Sequence, residues 1–144
     1  MKVASILRAK GHHVETVTPD TTLTTVAWEF RSKGIGALVV TDGAGSTLGL
    51  ISERDIVYGI AEHGAGLLGM RVSRVMSRSV VTCTPEDSIT DVMVNMTRHR
   101  VRHVVVLDKG RLDGIVSIGD VIKYRLDELE LEANVLRDTL ITRH

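Results

Sequence analysis

The chain spells one pattern twice over most of its length. GLISERDIVYGI begins at Gly49, and GIVSIGDVIKYRL begins 65 positions later at Gly114. Upstream, VTPDTTLTTVAWEF from Val17 and CTPEDSITDVMVNM from Cys83 match at an offset of 66, and the lead-ins KVASIL and RVSRVM are also alike. A unit of about 60 residues buries too little of its surface to be stable alone. We therefore expect two copies to pack together around a pseudo-two-fold axis.

Each unit passes from helical to strand-like patterning in the same order. After a proline-containing turn, apolar residues recur at i, i+3, i+4 and i+7, which indicates an amphipathic helix. These residues are Leu23, Val26, Ala27 and Phe30 in the first unit, and Ile89, Val92, Met93 and Met96 in the second. Two β-branched runs joined by a glycine-containing turn then predict a hairpin, and a second helical stretch follows. With a short strand before the proline, the sequence predicts an α/β (α+β) fold of two β-α-β-β-α repeats.

The repeats divide the chain into four predicted segments. Residues 1–62 form the first repeat with its lead-in, residues 63–71 a glycine-rich linker and flexible joint, and residues 72–126 the second repeat. Residues 127–144 form a C-terminal helical tail. The tail continues an apolar seam at 3-4-3-4 spacing, made of Leu126, Leu129, Ala133, Leu136 and Leu140. This seam fits two roles equally, covering the protein's own core or meeting another chain.

Composition excludes several classes of function. Lys plus Arg and Asp plus Glu both total 18, so no overall charge draws the protein to nucleic acid or to an anionic membrane. No apolar run approaches the ~18 residues of a membrane span, and the N-terminus does not resemble a signal peptide, so we expect a cytoplasmic protein. The single Cys83 is expected to be a packing residue. His12 and His13 lack metal-ligand spacing, and no nucleophile–base pair is present, so we expect neither a metal site nor an enzyme.

Each repeat carries Ser-x-x-Asp where a predicted strand meets a helix: Ser52 with Asp55, and Ser117 with Asp120. One interpretation is a helix-capping box. Against it, a capping box prefers the longer Glu or Gln, and we expect the shorter Asp to point outward with its oxygens free. The other interpretation is a nucleotide site, because a hydroxyl and free helix amides suit phosphate while a carboxylate suits ribose hydroxyls. The residues alone leave both open.

Taken in order, TPDTTL, IGALVVTD and GLISERDI, and then TPEDSI, RVRHVVVLD and GIVSIGDVI, resemble a tandem pair of CBS domains (cystathionine β-synthase type) over essentially the whole chain. The resemblance implies a β-α-β-β-α pair that binds adenine nucleotide in clefts between the repeats. It places the ribose-binding carboxylates at Asp55 and Asp120, with their hydroxyls at Ser52 and Ser117. The remaining implied contacts are Thr16, Ile35, Gly36 and Ala37 in the first repeat, and Thr82, Val101, Arg102 and His103 in the second. Beside them, Arg54 is the cation that the first repeat can offer to phosphate.

The two predicted sites differ in charge. The second has Arg102 and His103 where the first has Gly36 and Ala37, so we expect a stronger phosphate site in the second repeat, with Arg102 as the main contact. The resemblance implies a regulatory homodimer that senses AMP, ADP, ATP or NAD and signals through itself or an unidentified effector protein. The alternatives are a ligand-free structural or dimerisation module, or a variant that binds S-adenosylmethionine or depends on a metal.

Overall fold

The computed structural model describes residues 1–142, which form a mixed α/β fold with two three-stranded sheets and five α-helices. The helices are α1 (Val3–Lys10), α2 (Leu23–Lys33), α3 (Glu53–His63), α4 (Ile89–His99) and α5 (Ile118–Thr142). The strands are β1 (Thr16–Val17), β2 (Ala37–Thr41), β3 (Thr47–Ser52), β4 (Thr82–Cys83), β5 (His103–Asp108) and β6 (Arg111–Ser117). From β1 to α3 and again from β4 to α5 the order is β-α-β-β-α, so the predicted fold class is confirmed. No helix within the described residues is long and apolar enough to cross a membrane.

The two sheets repeat one another in order and register. They run β1-β2-β3 and β4-β5-β6, with the middle strand bonded to both neighbours. The short first strand is parallel to the middle one in each case, with Thr16 opposite Val39 and Thr82 opposite Val105. In the first sheet β2 and β3 are antiparallel and Ala37 lies opposite Ser52. The 66-residue offset of the sequence repeat is therefore also the offset between the two parallel pairings.

The first helix of each repeat buries part of the apolar stripe that the sequence predicts, but Ala27 of that stripe is exposed. Leu23 and Val26 of α2 are buried, as are Ile89, Val92 and Met96 of α4. The side chain of Thr22 caps α2 and that of Ser88 caps α4, each by accepting a hydrogen bond from the backbone amide three residues later. The helices therefore begin where the TPDTT and TPEDS stretches place them.

The compact units of the structure do not follow the sequence repeats. One unit contains residues 1–12, 81–106 and 114–142; the other contains residues 13–80 and 107–113. In the first of these units the N-terminal lead-in packs on second-repeat elements, with the Val3 amide donating to the Asp87 carbonyl (2.9 Å). In the other, the second lead-in packs on α2, with the Val72 amide donating to the Thr21 carbonyl (2.8 Å). Each lead-in therefore completes the core of the repeat that it does not precede.

The glycine-rich segment that the sequence predicts as a joint is built into one of these cores. Residues Gly64–Gly69 form a 3₁₀ helix, and Leu67 within it is 1% exposed. Leu67 packs against Gly59 of α3, where an added Cβ would lie 2.6 Å from its Cδ1. Three residues after Leu67, the Met70 carbonyl accepts a hydrogen bond from the Leu23 amide at 2.9 Å. The segment is thus a packed connection as well as a link between repeats.

Candidate functional site

The Ser-x-x-Asp motif of the first repeat closes a complete capping box. Ser52 ends β3 and caps α3, and its Oγ accepts a hydrogen bond from the Asp55 amide at 3.4 Å. In return, Asp55 Oδ2 accepts from the Ser52 amide at 2.9 Å and from the Ser52 hydroxyl at 3.0 Å. The expectation that this carboxylate would point outward with free oxygens is therefore wrong.

The second repeat reproduces the same arrangement. The Asp120 amide donates to Ser117 Oγ at 3.1 Å, and the Ser117 amide donates to Asp120 Oδ2 at 2.9 Å. An Asp is long enough here because the strand leads directly into the helix and brings the two backbones together. In both repeats the capping bonds to the carboxylate end on Oδ2. A carboxylate has two oxygens with about four acceptor positions, so capping and ligand binding can use different lone pairs.

A backbone hydrogen bond joins each motif to the segment that enters the middle strand. The Glu53 amide donates to the Gly36 carbonyl at 3.1 Å, and the Ile118 amide donates to the Arg102 carbonyl at 2.8 Å. We call each such meeting point a junction. The first junction contains Ile35, Gly36, Ala37, Ser52, Arg54 and Asp55; the second contains Val101, Arg102, His103, Ser117 and Asp120. The residues that the resemblance implies are thus neighbours within each repeat.

The two predicted threonines lie on the opposite side of the middle strand. Thr16 pairs with Val39, two residues beyond Ala37, and Thr82 pairs with Val105, two residues beyond His103. Both threonine residues are exposed. Strands in a sheet are about 4.8 Å apart, so each threonine lies roughly two strand spacings from the serine of its repeat. At that distance, the two threonines can contact only a ligand that extends across the edge of the sheet.

An open apolar pocket of about 500 Å³ adjoins the first junction. Phe30 of α2 and Ile56 and Val57 of α3 form much of its wall, which also includes Ile35 and Gly36. A second pocket of about 500 Å³ lies against α4 and α5, lined by Met93, Val94, Arg98 and Arg125 among others, and it contains no residue of the second junction. Of these two pockets, the one that adjoins a junction lies in the first repeat.

Lys10 is a residue of the second junction that the sequence reasoning missed. Its Nζ donates to Asp120 Oδ2 at 2.6 Å and to the Ile115 carbonyl at 2.9 Å. Lys10 ends α1, so it reaches Asp120 because the N-terminal lead-in packs on the second repeat. The matching position of the second lead-in holds Ser79, which is exposed. This contact follows from the exchange of lead-ins, and no pattern in the sequence predicts that exchange.

The ion pair changes the electrostatics of Asp120. Burial by itself would raise the pKa of this carboxyl, but hydrogen bonds from Lys10 and from the Ser117 amide outweigh it, and the pKa lies below its ordinary value. The side chains of Lys10 and Asp120 are 35% and 25% exposed, so the pair is partly shielded from solvent. Asp120 is therefore held as a carboxylate beside a fixed cation.

Arg102 and His103 occupy different environments at the second junction. Arg102 is exposed and contributes its carbonyl to the start of α5, while His103 is half-buried as the first residue of β5. In the first repeat, Gly36 is half-buried and Ala37 is 8% exposed. The second junction thus has the exposed cation Arg102 at the position where the first has Gly36, which has no side chain.

Comparison with known proteins gives consistent matches. The family model of the CBS domain matches residues 4–62 and 72–127. A CBS-domain containing protein from Agrobacterium tumefaciens, solved by crystallography, is 44% identical, with a TM-score of 0.84 over 86% of this chain and 92% of that one. The CBS domain-containing protein YhcV of Bacillus subtilis is 32% identical over 83% of this chain and 84% of its own length.

A more distant structure is a CBS domain pair crystallised with 5′-methylthioadenosine and S-adenosyl-L-methionine. It is 21% identical, with a TM-score of 0.75 over 89% of this chain and 98% of that one, which supports the fold alone. The family model accounts for most of the chain through two separate matches, and each match contains one of the two junctions. This chain therefore belongs to the CBS domain family, as a protein with two CBS domains.

Proposed function

We propose that this chain is a regulatory module that binds an adenine nucleotide at one or both junctions. The observation that carries the proposal is the duplicated junction itself. In each repeat a carboxylate, a hydroxyl and the first amides of a helix meet the segment entering the middle strand. A carboxylate suits the paired hydroxyls of ribose. The expected free helix amides are not found, because the first and third amides of each helix already donate within the junction, so phosphate would be bound mainly by cationic side chains.

Each part of a nucleotide has a candidate contact at the first junction. Asp55 would accept hydrogen bonds from the ribose hydroxyls through lone pairs that the capping box leaves unused. Ile35 and Gly36 lie in the wall of the apolar pocket and offer a surface for the adenine ring. Arg54, exposed in the first turn of α3, would contact phosphate. AMP, ADP, ATP and NAD share these three chemical parts and are all candidates.

At the second junction the cations would favour phosphate. Lys10 already lies 2.6 Å from Asp120, and Arg102 is exposed at the entrance to β5. Val101 and His103 would flank the base, and Thr16 and Thr82 would contact any part of the ligand that reaches the far side of each middle strand. The crystallised relative with 5′-methylthioadenosine and S-adenosyl-L-methionine indicates that this fold can accept adenosine-containing ligands. S-adenosylmethionine is therefore an alternative ligand here.

We further infer that the module is not catalytic, and that it signals by altering contacts within a homodimer or with an effector protein. Extensive apolar surface remains exposed on α5, including Leu126 and Leu136 at 60% and 63%. Nucleotide bound beside the first turn of α5 would act directly on the helix that carries this surface. A cytoplasmic location, where these nucleotides are abundant, is part of the same proposal.

The complete capping boxes favour a second candidate, a ligand-free structural or dimerisation module. In that case Ser52, Asp55, Ser117 and Asp120 serve only to start α3 and α5, and their hydrogen bonds need no further role. The two functions differ in one measurable respect. Only the first predicts that substitutions at the junctions change the affinity for a nucleotide.

Thermal unfolding with and without ligand tests the proposal. A ligand that binds only the folded state stabilises it by about 2.7 kcal/mol at a hundredfold excess over Kd, which raises Tm by several degrees. We expect such a shift with millimolar AMP, ATP or NAD, and a smaller one for the variant Asp55→Asn/Asp120→Asn. No shift with any of these or with S-adenosylmethionine would favour the ligand-free module.

Ser88 provides a matched control for the capping role. It caps α4 as Ser52 caps α3, but it belongs to neither junction. Ser88→Ala and Ser52→Ala should each lower the free energy of unfolding by about 1 kcal/mol through loss of a cap. Only Ser52→Ala should also reduce the shift produced by nucleotide. Equal ligand shifts in the two variants would assign Ser52 to capping alone.

A further inference from the structure

Helix α5 is packed along its first part and bare along the rest. Val121 is 1% exposed, Tyr124 packs against the same core, and Glu128 is half-buried. Every described residue from 129 to 142 is exposed. A helix as short as residues 129–142 is only marginally stable in water by itself, and most helices in proteins are stabilised by packing of an apolar face. Among the described residues nothing covers the outer part of α5, so packing against another surface would stabilise it.

An uninterrupted apolar seam runs along α5 beside the packed face. Its members follow one another at 4-3-4-3-4 spacing: Ile122, Leu126, Leu129, Ala133, Leu136 and Leu140. The seam is turned about 100° from the face that contains Val121. Each of its large side chains is between 42% and 63% exposed. This spacing is that of a coiled coil over three heptads, with Leu126, Ala133 and Leu140 at a and the other three at d.

Charges beside the seam select the direction in which a second copy can pair. In a parallel, in-register pair, each g residue faces the e residue of the partner's next heptad. Arg125 then faces Glu130 of the partner subunit, and Glu132 faces Arg137 of the partner subunit. Both contacts join opposite charges. In the single chain Arg125 pairs with Glu128 and, more loosely at 3.9 Å, with Glu132. Because Arg125 has the closer intrachain partner, we expect Glu132 and Arg137 to be the stronger pair between subunits.

The antiparallel arrangement that aligns the same seam gives the opposite result. It places Glu130 beside Glu130 of the partner subunit, and Glu132 beside Glu132 of the partner subunit. It also places Lys123 beside Arg137 of the partner subunit. Like charges in direct opposition are destabilising. The antiparallel arrangement thus has three kinds of like-charge contact, whereas the parallel arrangement has two kinds of opposite-charge contact. The charges therefore favour the parallel pair.

We propose that α5 is a self-association element, in which two copies of this chain pair through the seam from Ile122 to Leu140 as a parallel, in-register, two-stranded coiled coil. This assigns the surface for the homodimer in the proposed function, but it does not depend on nucleotide binding. Leu131 and Val135 are also exposed but lie off the seam, so they remain outside the pairing. The coil begins within the second CBS domain, next to the second junction, and continues past the last residue of the family match.

Two leucines of equal exposure give a matched pair of variants. Leu136 on the seam is 63% exposed and Leu131 off the seam is 62% exposed. In sedimentation equilibrium of the full chain, wild type should be a dimer, and Leu136→Asp should raise its dissociation constant at least about tenfold, because the carboxylate is buried in the pair. Leu131→Asp should change it less than about twofold. A monomeric wild type, or equal effects of the two substitutions, would overturn the proposal.

Charge reversal tests the pairing of Glu132 with Arg137. Glu132→Arg and Arg137→Glu alone should each weaken the dimer about fivefold, because two symmetric ion pairs become repulsive. The double variant exchanges both charges and should restore wild-type association. Both positions are exposed and beyond the packed part of α5, and Glu132 gives up only a loose contact with Arg125 at 3.9 Å, so folding should be nearly unaffected by either substitution. A double variant weaker than either single one would exclude this register.

A cysteine in the seam tests the direction. Leu140→Cys places the thiols of two parallel, in-register helices together, whereas antiparallel pairing places residue 140 beside residue 122. Mild oxidation should convert this variant to a disulfide-linked dimer, since seam positions fall within disulfide range. The native Cys83 is buried, and burial raises the pKa of its thiol to about 12, so it should not interfere. A dimer that Leu136→Asp dissociates but Leu140→Cys does not cross-link would overturn the parallel model.

Discussion

The two junctions share a backbone and differ in the side chains around it. Both have the Ser–Asp capping box, and both tie the first helix amide to the carbonyl that precedes the middle strand. At the second junction Lys10 Nζ lies 2.6 Å from Asp120 Oδ2, and Lys10 belongs to the lead-in of the first repeat, which packs on the second. The two repeats thus share the same backbone hydrogen bonds at their junctions, but they differ in the charged side chains that contact those junctions.

The two repeats also differ in the atoms that pack against the strand before each Ser-x-x-Asp motif. Gly49 in β3 and Gly114 in β6 are matched positions, and an added Cβ at either would lie 2.6 Å from a neighbouring atom. At Gly49 that atom is the backbone oxygen of Ser77, whereas at Gly114 it is Cδ2 of Leu7. A side chain can rotate away, but a backbone in a hydrogen-bonded bridge cannot.

The largest effect that we expect is the loss of stability on substituting Gly49. Gly49→Ala should lower the free energy of unfolding by about 3 kcal/mol, because the Leu50–Ser77 bridge has to open. Gly114→Ala should cost about 1 kcal/mol, since Leu7 can shift within its core. Urea unfolding of both variants provides the measurement. Equal losses would show that the two strands are held with the same rigidity.

The aspartates should separate binding from stability. Asn keeps a capping oxygen but loses the charge, so Asp55→Asn should weaken nucleotide binding by about 1.5 to 3 kcal/mol while the fold is little affected. Asp120→Asn should weaken the second site similarly and also destabilise the fold by about 1 kcal/mol, because Lys10 loses its ionised partner. Calorimetric titration and urea unfolding measure the two quantities. If both variants lose stability and neither loses affinity, the carboxylates are structural.

Much of the fold could be predicted because its determinants are local. The proline turn, the capping threonine or serine and the 3.6-residue stripe lie close together in sequence, and each repeat supplies an independent copy of the pattern. The junction residues were predicted as neighbours for the same reason, since a strand that runs directly into a helix fixes their positions. Their binding of a ligand stays a prediction.

The exchange of lead-ins could not be predicted, and the contact of Lys10 with Asp120 depends on it. KVASIL and RVSRVM have similar apolar spacing, with Val3 and Val72 at matching positions, so either can complete either core. The orientation of Asp55 was predicted wrongly because residue preferences describe average capping boxes. Here the Asp55 carboxylate reaches the Ser52 amide at 2.9 Å.

The cations of the second junction should act on phosphate more than on the nucleoside. Arg102→Ala and Lys10→Met should each reduce the affinity for ATP by about fivefold at low salt and leave the affinity for adenosine nearly unchanged. The loss should diminish as salt screens the charges. Arg54→Ala is the matched test at the first junction, where it removes the arginine within the motif. Equal losses for ATP and adenosine after Arg102→Ala would mean that Arg102 supports the base or the strand.

The smallest effect that we expect is a pH dependence of stability at the second junction. The pKa of Asp120 is lowered: burial opposes ionisation, but Lys10 and the Ser117 amide outweigh it. A carboxyl with a lower pKa in the folded state than in the unfolded chain adds stability that is present above the unfolded value, about 3.9, and lost as pH falls through the folded one. The stability difference between wild type and Lys10→Met should therefore stay constant from about pH 7 to pH 5 and shrink below about pH 4.

Urea unfolding midpoints at pH 7, 5, 4 and 3 measure this difference in stability. The control is the Asp120→Asn background, in which Lys10→Met should show no such trend. A difference that stays unchanged down to pH 3 would mean that Lys10 stabilises the fold mainly through the Ile115 carbonyl, whose hydrogen bond does not titrate in this range, and that Asp120 is not its principal partner.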